Sequence, residues 1–429
     1  MNLYFLTPPK INLDHKYEQR GFVEVPLDYT DPSSSKLMIF YRFMTAVQNN
    51  LNNDDLPCLV VVNGGPGAPS SVYRSYDYNY ETPVTDVQPD DVLYHLTQFF
   101  RVLIIDQRGT AGQSAPLDLN HPDISYEAVA KYFDSSHIAK DHERVIEQVL
   151  GKSRPFCMIF QSYGGLVGVS YLTDAMIKIR PQSCVFSCSA LPNANIMESY
   201  LARRQEQMNL NLSLLKYFPK ITSAILNLMK TFESAQENRQ NVHFLWDRLG
   251  KGNNGSWQPA LMAKIEALSL ASRDELSQFT SEFSGSVGIL NYILSSSMFS
   301  PGQTDRTLAL KMRQEIPFEE WMLDESICWS RIAESESPQI QDLLNRIDAQ
   351  PPAATIYPSF EQIKKRFDGS RIMFIVGEND AYLPADPLLR HIKNFEIEGV
   401  TDVKLLPGGH KAAFLESGAK EVHMFCTKK

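Results

Sequence analysis

Six short apolar runs, each closed by a turn bearing glycine or proline, limit what this chain can fold into. They are "CLVVVNGGPG" (58–67), "RVLIIDQRG" (101–109), "FCMIFQSYGG" (156–165), "CVFSCSALP" (184–192), "RIMFIVGEND" (371–380) and "DVKLLPGGH" (402–410). Each run is too short for a helix and shows no polar alternation, so both of its faces must be covered. Strands of that kind belong to a mostly parallel sheet with helices on both sides. After "QSYGG", the stretch "LVGVSYLTDAMIKI" (166–179) carries helical spacing. Ahead of the first run, "GFVEVPLDY" and "KLMIFYRFMTA" read as antiparallel strands, and "QNNLNNDDLP" as a polar loop.

The texture changes near residue 195. "ESYLARRQEQMNLNLSLLKYF", "ITSAILNLMKTFESAQ" and "PALMAKIEALSLASRDELSQF" have helical periodicity, and this persists to about 365. The expected organisation is a sheet domain built from 1–194 and 366–429, with a helical cap, 195–365, inserted before the last two strands. A chain of 429 residues is long enough for such an insertion.

Composition removes several function classes. Hydrophobic residues make up 43% and charged residues 21%, as in soluble globular proteins. The formal charge is −9 and no basic run occurs, so no nucleic-acid partner is expected. The start, "MNLYFLTPPKINLDHK", does not read as a secretory signal, and no apolar run is long enough for a membrane span. The six cysteines are scattered and form no C-x-x-C pair, which favours buried reduced thiols in a cytoplasmic protein over disulfides or zinc. No cofactor and no metal are expected.

Chemistry in such sheets gathers beyond the carboxyl ends of the strands. Ser162 follows one strand on a tight turn into a helix, where its hydroxyl would be exposed at the helix's positive end. The signature for such a turn is G-x-S-x-G. Gly164 and Gly165 supply the small residues after the serine, but Phe160 stands where the first glycine belongs. Either its side chain points into the core or the turn opens. The loop "NGGPG" is either a plain turn or a source of backbone N–H donors. In the second case Gly65, with Tyr163 after the serine, would hold an oxyanion. Asp380 and His410 each lie just past an apolar strand. Singly, such residues are usually turn formers. Together, in the order Ser162, Asp380, His410, they match the chain order of the α/β-hydrolase triad. His410 would take the serine's proton, and Asp380 would orient the imidazole.

These segments resemble the proline iminopeptidases (prolyl aminopeptidases) of the α/β-hydrolase fold. "NGGPG" resembles that family's H-G-G-P-G, with Asn63 replacing histidine. "DQRGTAGQS" is similar to D-Q-R-G-x-G-x-S with one extra residue. "VPLDYTDP", "QSYGGLVGVSYL" and "ALPN" resemble segments of its longer members. "IPFEEWMLDESICW" resembles N-P-x-Y-x-x-L-H-E-x-I-Y-C, which puts Asp324 and Glu325 at the H-E pair. The resemblance implies removal of an N-terminal residue, usually proline, from small peptides. It also implies that Glu325 binds the substrate's free amine. The residues alone leave Glu325 as a solvated helix residue among Glu315, Glu319 and Glu320. Trp321 and Trp329 read first as packing of the insertion, and otherwise as a pocket for a proline ring. Asp106 and Arg108 read as a structural pair beneath the site.

Two other functions share these residues. One is an esterase or other small-molecule hydrolase with the same triad, since fold and triad do not fix a substrate. The other is a non-catalytic binding protein on this scaffold, against which the intact Ser162, Asp380 and His410 speak. Oligomeric state is not legible in the chain.

Overall fold

The structure is a computed structural model. It describes residues 3, 13–15, 17–46, 51–67, 92–110, 114, 117–118, 121, 124–194, 198, 201–202, 205, 220, 223, 292–294, 296, 301–304, 306–307, 338–353, 355–367, 370–380, 382–398 and 401–428. The strands are β1 (Leu13–His15), β2 (Glu18–Pro26), β3 (Lys36–Met44), β4 (Cys58–Val62), β5 (Arg101–Ile105), β6 (Phe156–Gln161), β7 (Ser183–Ser187), β8 (Arg371–Gly377) and β9 (Thr401–Leu406). They form one sheet in the order β1-β2-β3-β5-β4-β6-β7-β8-β9. The pairings β1·β2, β2·β3 and β3·β5 are antiparallel, and all later ones are parallel. The expected mostly parallel sheet is therefore present, with the two foreseen antiparallel strands at one side. The three-residue β1 was not foreseen.

The described helices are α1 (Tyr94–Phe99), α2 (Tyr126–Tyr132), α3 (Ser135–Leu150), α4 (Gly164–Thr173), α5 (Pro338–Ala349), α6 (Phe360–Phe367), α7 (Ala385–Ile392) and α8 (Glu416–Thr427). They cover both faces, as the unbroken apolar runs require. Alternate residues of each strand point to opposite sides. Phe156, Met158 and Phe160 of β6 join one core with residues of α3, α4, α6 and α7. Cys157 and Ile159 join the other with residues of α1 and α8. By the same alternation Gln161 belongs to the second face. All five residues of β4, β5 and β7 are buried. β9 closes the sheet at one edge and is only partly covered.

Helix α4 is shorter than its apolar pattern suggests. It ends at Thr173 rather than running on to Ile179. The Asp174 carboxylate accepts from the Met176 N–H at 2.8 Å, an Asx turn that competes with helix. The Arg180 guanidinium returns to bond the Tyr171 and Leu172 carbonyls at 3.0 and 2.8 Å, satisfying the helix's open end.

The bounds expected for a cap fall mostly on residues outside those described. The described parts that precede β8 pack in two places. Tyr292, Ile293 and Leu294, with Leu343, Leu344 and Ile347 of α5, form a third apolar cluster with α2. Ile363 and Phe367 of α6 enter the main core. The topology fixes where function can sit. The chain passes from β4 to β5 on one side and then to β6 on the other, so β4 and β6 flank a switch point whose crevice opens at their carboxyl ends.

Candidate active site

Ser162 stands at that switch point, between β6 and α4, with φ 57°. A side chain other than glycine or asparagine rarely accepts this left-handed backbone, which costs about 1–3 kcal/mol and must be held by its surroundings. Three backbone bonds hold it. The Ser162 N–H donates to the Ser187 carbonyl at 3.2 Å, and its own carbonyl accepts from Gly165 at 2.9 Å and Ala190 at 2.9 Å. At this turn Ser162 is only partly buried.

Phe160 points into the core and is fully buried. Its ring lies 5.0 Å from that of Phe186, tilted 38°. The space it needs comes from Gly168, one helical turn into α4. A Cβ there would lie 2.6 to 2.8 Å from three atoms of the Phe160 ring. The small residue expected before the serine has thus been exchanged for one on the facing helix.

The loop after β4 runs beside the serine. Gly64 packs directly on it, since a Cβ at Gly64 would lie 2.7 Å from Ser162 Cβ. Gly65 follows, exposed. Tyr163 heads α4, and its N–H, like that of Gly65, has no partner among the described residues. Unpaired donors at a helix start attract negative charge. Gln107, just past β5, holds the loop. Its Nε2 donates to the Asn63 and Gly64 carbonyls at 2.9 Å each, and its Oε1 accepts from the Gly67 N–H at 2.7 Å. Gln107 is 1% exposed. The signal for it was already in "DQRG", because a glutamine buried at a strand end must find partners.

Arg108 is structural, but its carboxylate partner is Asp141 of α3 rather than Asp106. The pair is bidentate, with Nε to Oδ2 at 2.7 Å and Nη2 to Oδ1 at 2.6 Å. Arg108 also bonds the Leu27, Tyr132 and Pro26 carbonyls. Asp106 instead accepts from the Ser114 hydroxyl at 3.4 Å.

Asp380 and His410 are brought together beyond β8 and β9. His410 Nδ1 lies 2.9 Å from Asp380 Oδ2 and 3.1 Å from Oδ1. The Tyr382 and Leu383 N–H groups donate to Oδ1 at 2.8 and 3.0 Å, so the carboxylate is fixed as an acceptor facing the ring. The Asp380 side chain is fully buried and that of His410 is 11% exposed. The Tyr382 ring stacks on the imidazole at 4.5 Å. A proton on Nδ1 would donate to Asp380 and leave Nε2 as the ring's acceptor.

The His410 loop is drawn back across the strand ends. Gly377 gives it room, since a Cβ there would meet the Gly409 carbonyl at 2.2 Å. The Cys188 thiol lies 3.8 Å from the Gly409 carbonyl. The Gln161 amide donates to the His410 carbonyl at 2.6 Å, and the Ser187 hydroxyl donates to Gln161 Oε1 at 2.8 Å. Gln161 and Ser187 were not singled out in the sequence.

Cys188, Asp380 and His410 place one possible metal-ligand atom each within 4.8 Å of one another. The donor set does not suit a metal. Burial, reinforced by the charge of Asp380, pushes the Cys188 thiol well above its usual range and keeps it protonated, and His410 Nδ1 is hydrogen-bonded to the carboxylate. Glu325, Trp321 and Trp329 lie outside the described residues. Among the described residues, no helix is long and apolar enough to cross a membrane.

Comparison with known proteins adds a family. Residues 57–417 match the family described as alpha/beta hydrolase fold. A proline iminopeptidase of Aeromonas sobria is 30% identical over 165 residues, covering 38% of this chain and 35% of that protein. This chain therefore aligns with only about a third of the relative's length. Similar solved structures include an esterase from Exiguobacterium antarcticum, at 11% identity, TM-score 0.42, and 91% and 96% coverage of the two chains. Another is a prohormone-processing carboxypeptidase from Saccharomyces cerevisiae, at 13% identity, TM-score 0.42, and 96% and 90% coverage.

Proposed function

The chain belongs to the alpha/beta hydrolase fold family, and we propose that within it the protein is a serine aminopeptidase. It releases an N-terminal residue, foremost proline, from small peptides with a free N-terminus. The observation that carries the reading is the buried Asp380 carboxylate held on His410 Nδ1, on the same rim as a serine in the left-handed backbone of a strand-to-helix turn. The partial likeness to a proline iminopeptidase supports the choice of substrate.

In this mechanism Ser162 Oγ attacks the scissile carbonyl carbon while its proton passes to His410 Nε2. Asp380 stabilises the imidazolium. The carbonyl π electrons move onto oxygen, and the Tyr163 and Gly65 N–H groups stabilise that oxyanion. Collapse breaks the C–N bond, His410 protonates the departing amine, and an acyl-enzyme on Ser162 remains. A water then attacks the acyl carbon, giving a proton to His410; collapse breaks the ester C–O bond, His410 returns the proton to Ser162 Oγ, and the acid is released. No cofactor or metal enters. In this reading the helical insertion ahead of α6 serves as the cap over this site, while α6 itself belongs to the sheet domain's core. Glu325 within the cap pairs with the substrate's ammonium, which needs a carboxylate once it is enclosed. Cys58, Cys157, Cys184, Cys188 and Cys426 are buried free thiols, which fits a cytoplasmic enzyme.

A panel of aminoacyl-coumarin amides, free and N-acetylated, run beside p-nitrophenyl esters, tests the substrate. Free-amine prolyl amides should be cleaved and their acetylated forms spared. Glu325→Gln should lower kcat/KM on free amides by roughly one to two orders of magnitude and leave simple esters unchanged. Equal cleavage of free and acetylated amides, or turnover of esters alone, would establish the esterase reading instead.

A further inference from the structure

The two halves of the proposed triad start far apart. Ser162 follows β6 and His410 follows β9, three strands away in the sheet order. At ordinary strand spacing that separation is roughly 14 Å. An imidazole cannot cover it unless its loop folds back over the ends of β8 and β7. The loop does fold back, and the side chain that meets it at the nucleophile's strand is Gln161, the residue next to Ser162.

We propose that Gln161, backed by Ser187, is the positioning residue that sets His410 against Ser162. The inference rests on the serine-hydrolase reading above. Four observations carry it. Gln161 and Ser187 are paired across β6 and β7 in register. They are 1% and 0% exposed, so neither is free to meet solvent. The amide's two ends are both used, with Nε2 donating to the His410 carbonyl at 2.6 Å and Oε1 accepting from Ser187 at 2.8 Å. Strand alternation directs Gln161 to the face opposite Phe160, the face that also holds Ala412, Ala413 and Phe414 from just beyond His410. Gln161 thus measures the distance between base and nucleophile from the nucleophile's own strand. It binds the backbone of the base, so its role is neither to touch substrate nor to move a proton.

The test is the rate of Ser162 labelling by a fluorophosphonate, with steady-state kinetics, in three proteins. Gln161→Met keeps the length and removes both hydrogen bonds. Labelling and kcat should each fall about 10- to 100-fold, as for a misplacement of order an ångström, with KM within about twofold of the parent. Gln161→Glu gives a second readout that depends less on folding. Ionised, its carboxylate repels the His410 carbonyl. Protonated, it donates to that carbonyl and still accepts from Ser187. The ratio of variant to parent rate should therefore rise as the pH falls. Among the described residues, the loops that meet Gln161 also carry the titratable groups His410, Lys411, Asp380 and Cys188, and α8 on the same face carries Glu416, Lys420, Glu421, His423 and Cys426. The ratio is therefore read over the pH range in which the parent's own rate is constant. A parent that labels at Ser162 alongside a Gln161→Met variant that labels equally fast overturns this inference alone. So does a raised KM with unchanged kcat, or a flat ratio for Gln161→Glu. A parent that does not label at Ser162 overturns the serine-hydrolase reading and this inference with it.

Discussion

Adding a methyl at Gly168 should change the sign of its effect on stability depending on what stands at residue 160. In the parent, the new Cβ would lie 2.6 to 2.8 Å from the Phe160 ring. Carbon contacts settle at about 3.5–4.0 Å, so the shortfall is about 1 Å. The ring cannot retreat, because it is fully buried and packed on Phe186 at 5.0 Å. Overpacking of this kind costs about 1–3 kcal/mol, and the better helix propensity of alanine returns about 1. Gly168→Ala should therefore destabilise by up to about 2 kcal/mol and lower kcat, since the displaced helix carries the Tyr163 N–H. Phe160→Ala alone should cost about 3–5 kcal/mol through the cavity it leaves. In that background the methyl enters the vacated space, and Gly168→Ala should stabilise by about 1 kcal/mol. Urea denaturation of the four proteins reads the cycle. Effects of Gly168→Ala that agree within about 0.5 kcal/mol in the two backgrounds would mean the residues do not share this space, and the explanation of the missing glycine would fail.

Other expectations follow from single contacts. Asp380→Asn keeps an oxygen for the Tyr382 and Leu383 N–H groups but turns an amide N–H toward His410 Nδ1, so the proton moves to Nε2 and the base is lost. Its kcat should fall by about four orders of magnitude with the melting temperature nearly unchanged, by assay and calorimetry. Gln107→Leu releases the loop at Asn63, Gly64 and Gly67, and should reduce kcat about 10- to 100-fold while Asp380 and His410 keep their NMR signature. His142 is buried, and burial lowers its pKa below the usual 6.5. The unfolded chain then takes up a proton that the folded one refuses, so stability is lost as the pH falls below about 6.5. His142→Gln should shrink the drop in melting temperature between about pH 7.5 and 5.5, and an unchanged drop would assign the acid sensitivity to other groups.

Much of the sheet was legible because both faces of its strands are buried, and a continuous apolar run has few other homes. The strand-end positions of Ser162, Asp380 and His410 were legible for a related reason: each lies within a few residues of such a run. Residues that act through a partner distant in sequence were not. Nothing in "FQSYGG" says that Gln161 meets the carbonyl of His410, 249 residues on. Arg108 was assigned to its near neighbour Asp106, but its partner is Asp141, which only the packing of α3 brings close. The end of α4 was missed because its apolar spacing continues past Thr173, while the Asx turn at Asp174 and the returning Arg180 stop the helix. Phe160 was ambiguous until Gly168 was seen against its ring.

The central claim is that Ser162 is a nucleophile activated by His410, and its most direct measurement is the site and rate of covalent modification. The full-length protein would be treated with a fluorophosphonate, digested, and mapped by mass spectrometry, beside Ser162→Ala and His410→Ala. The account predicts a single adduct on Ser162, none on Ser162→Ala, and labelling slowed by at least about 10²-fold in His410→Ala. An adduct on another residue, or labelling of Ser162 at the parent rate without His410, would contradict it.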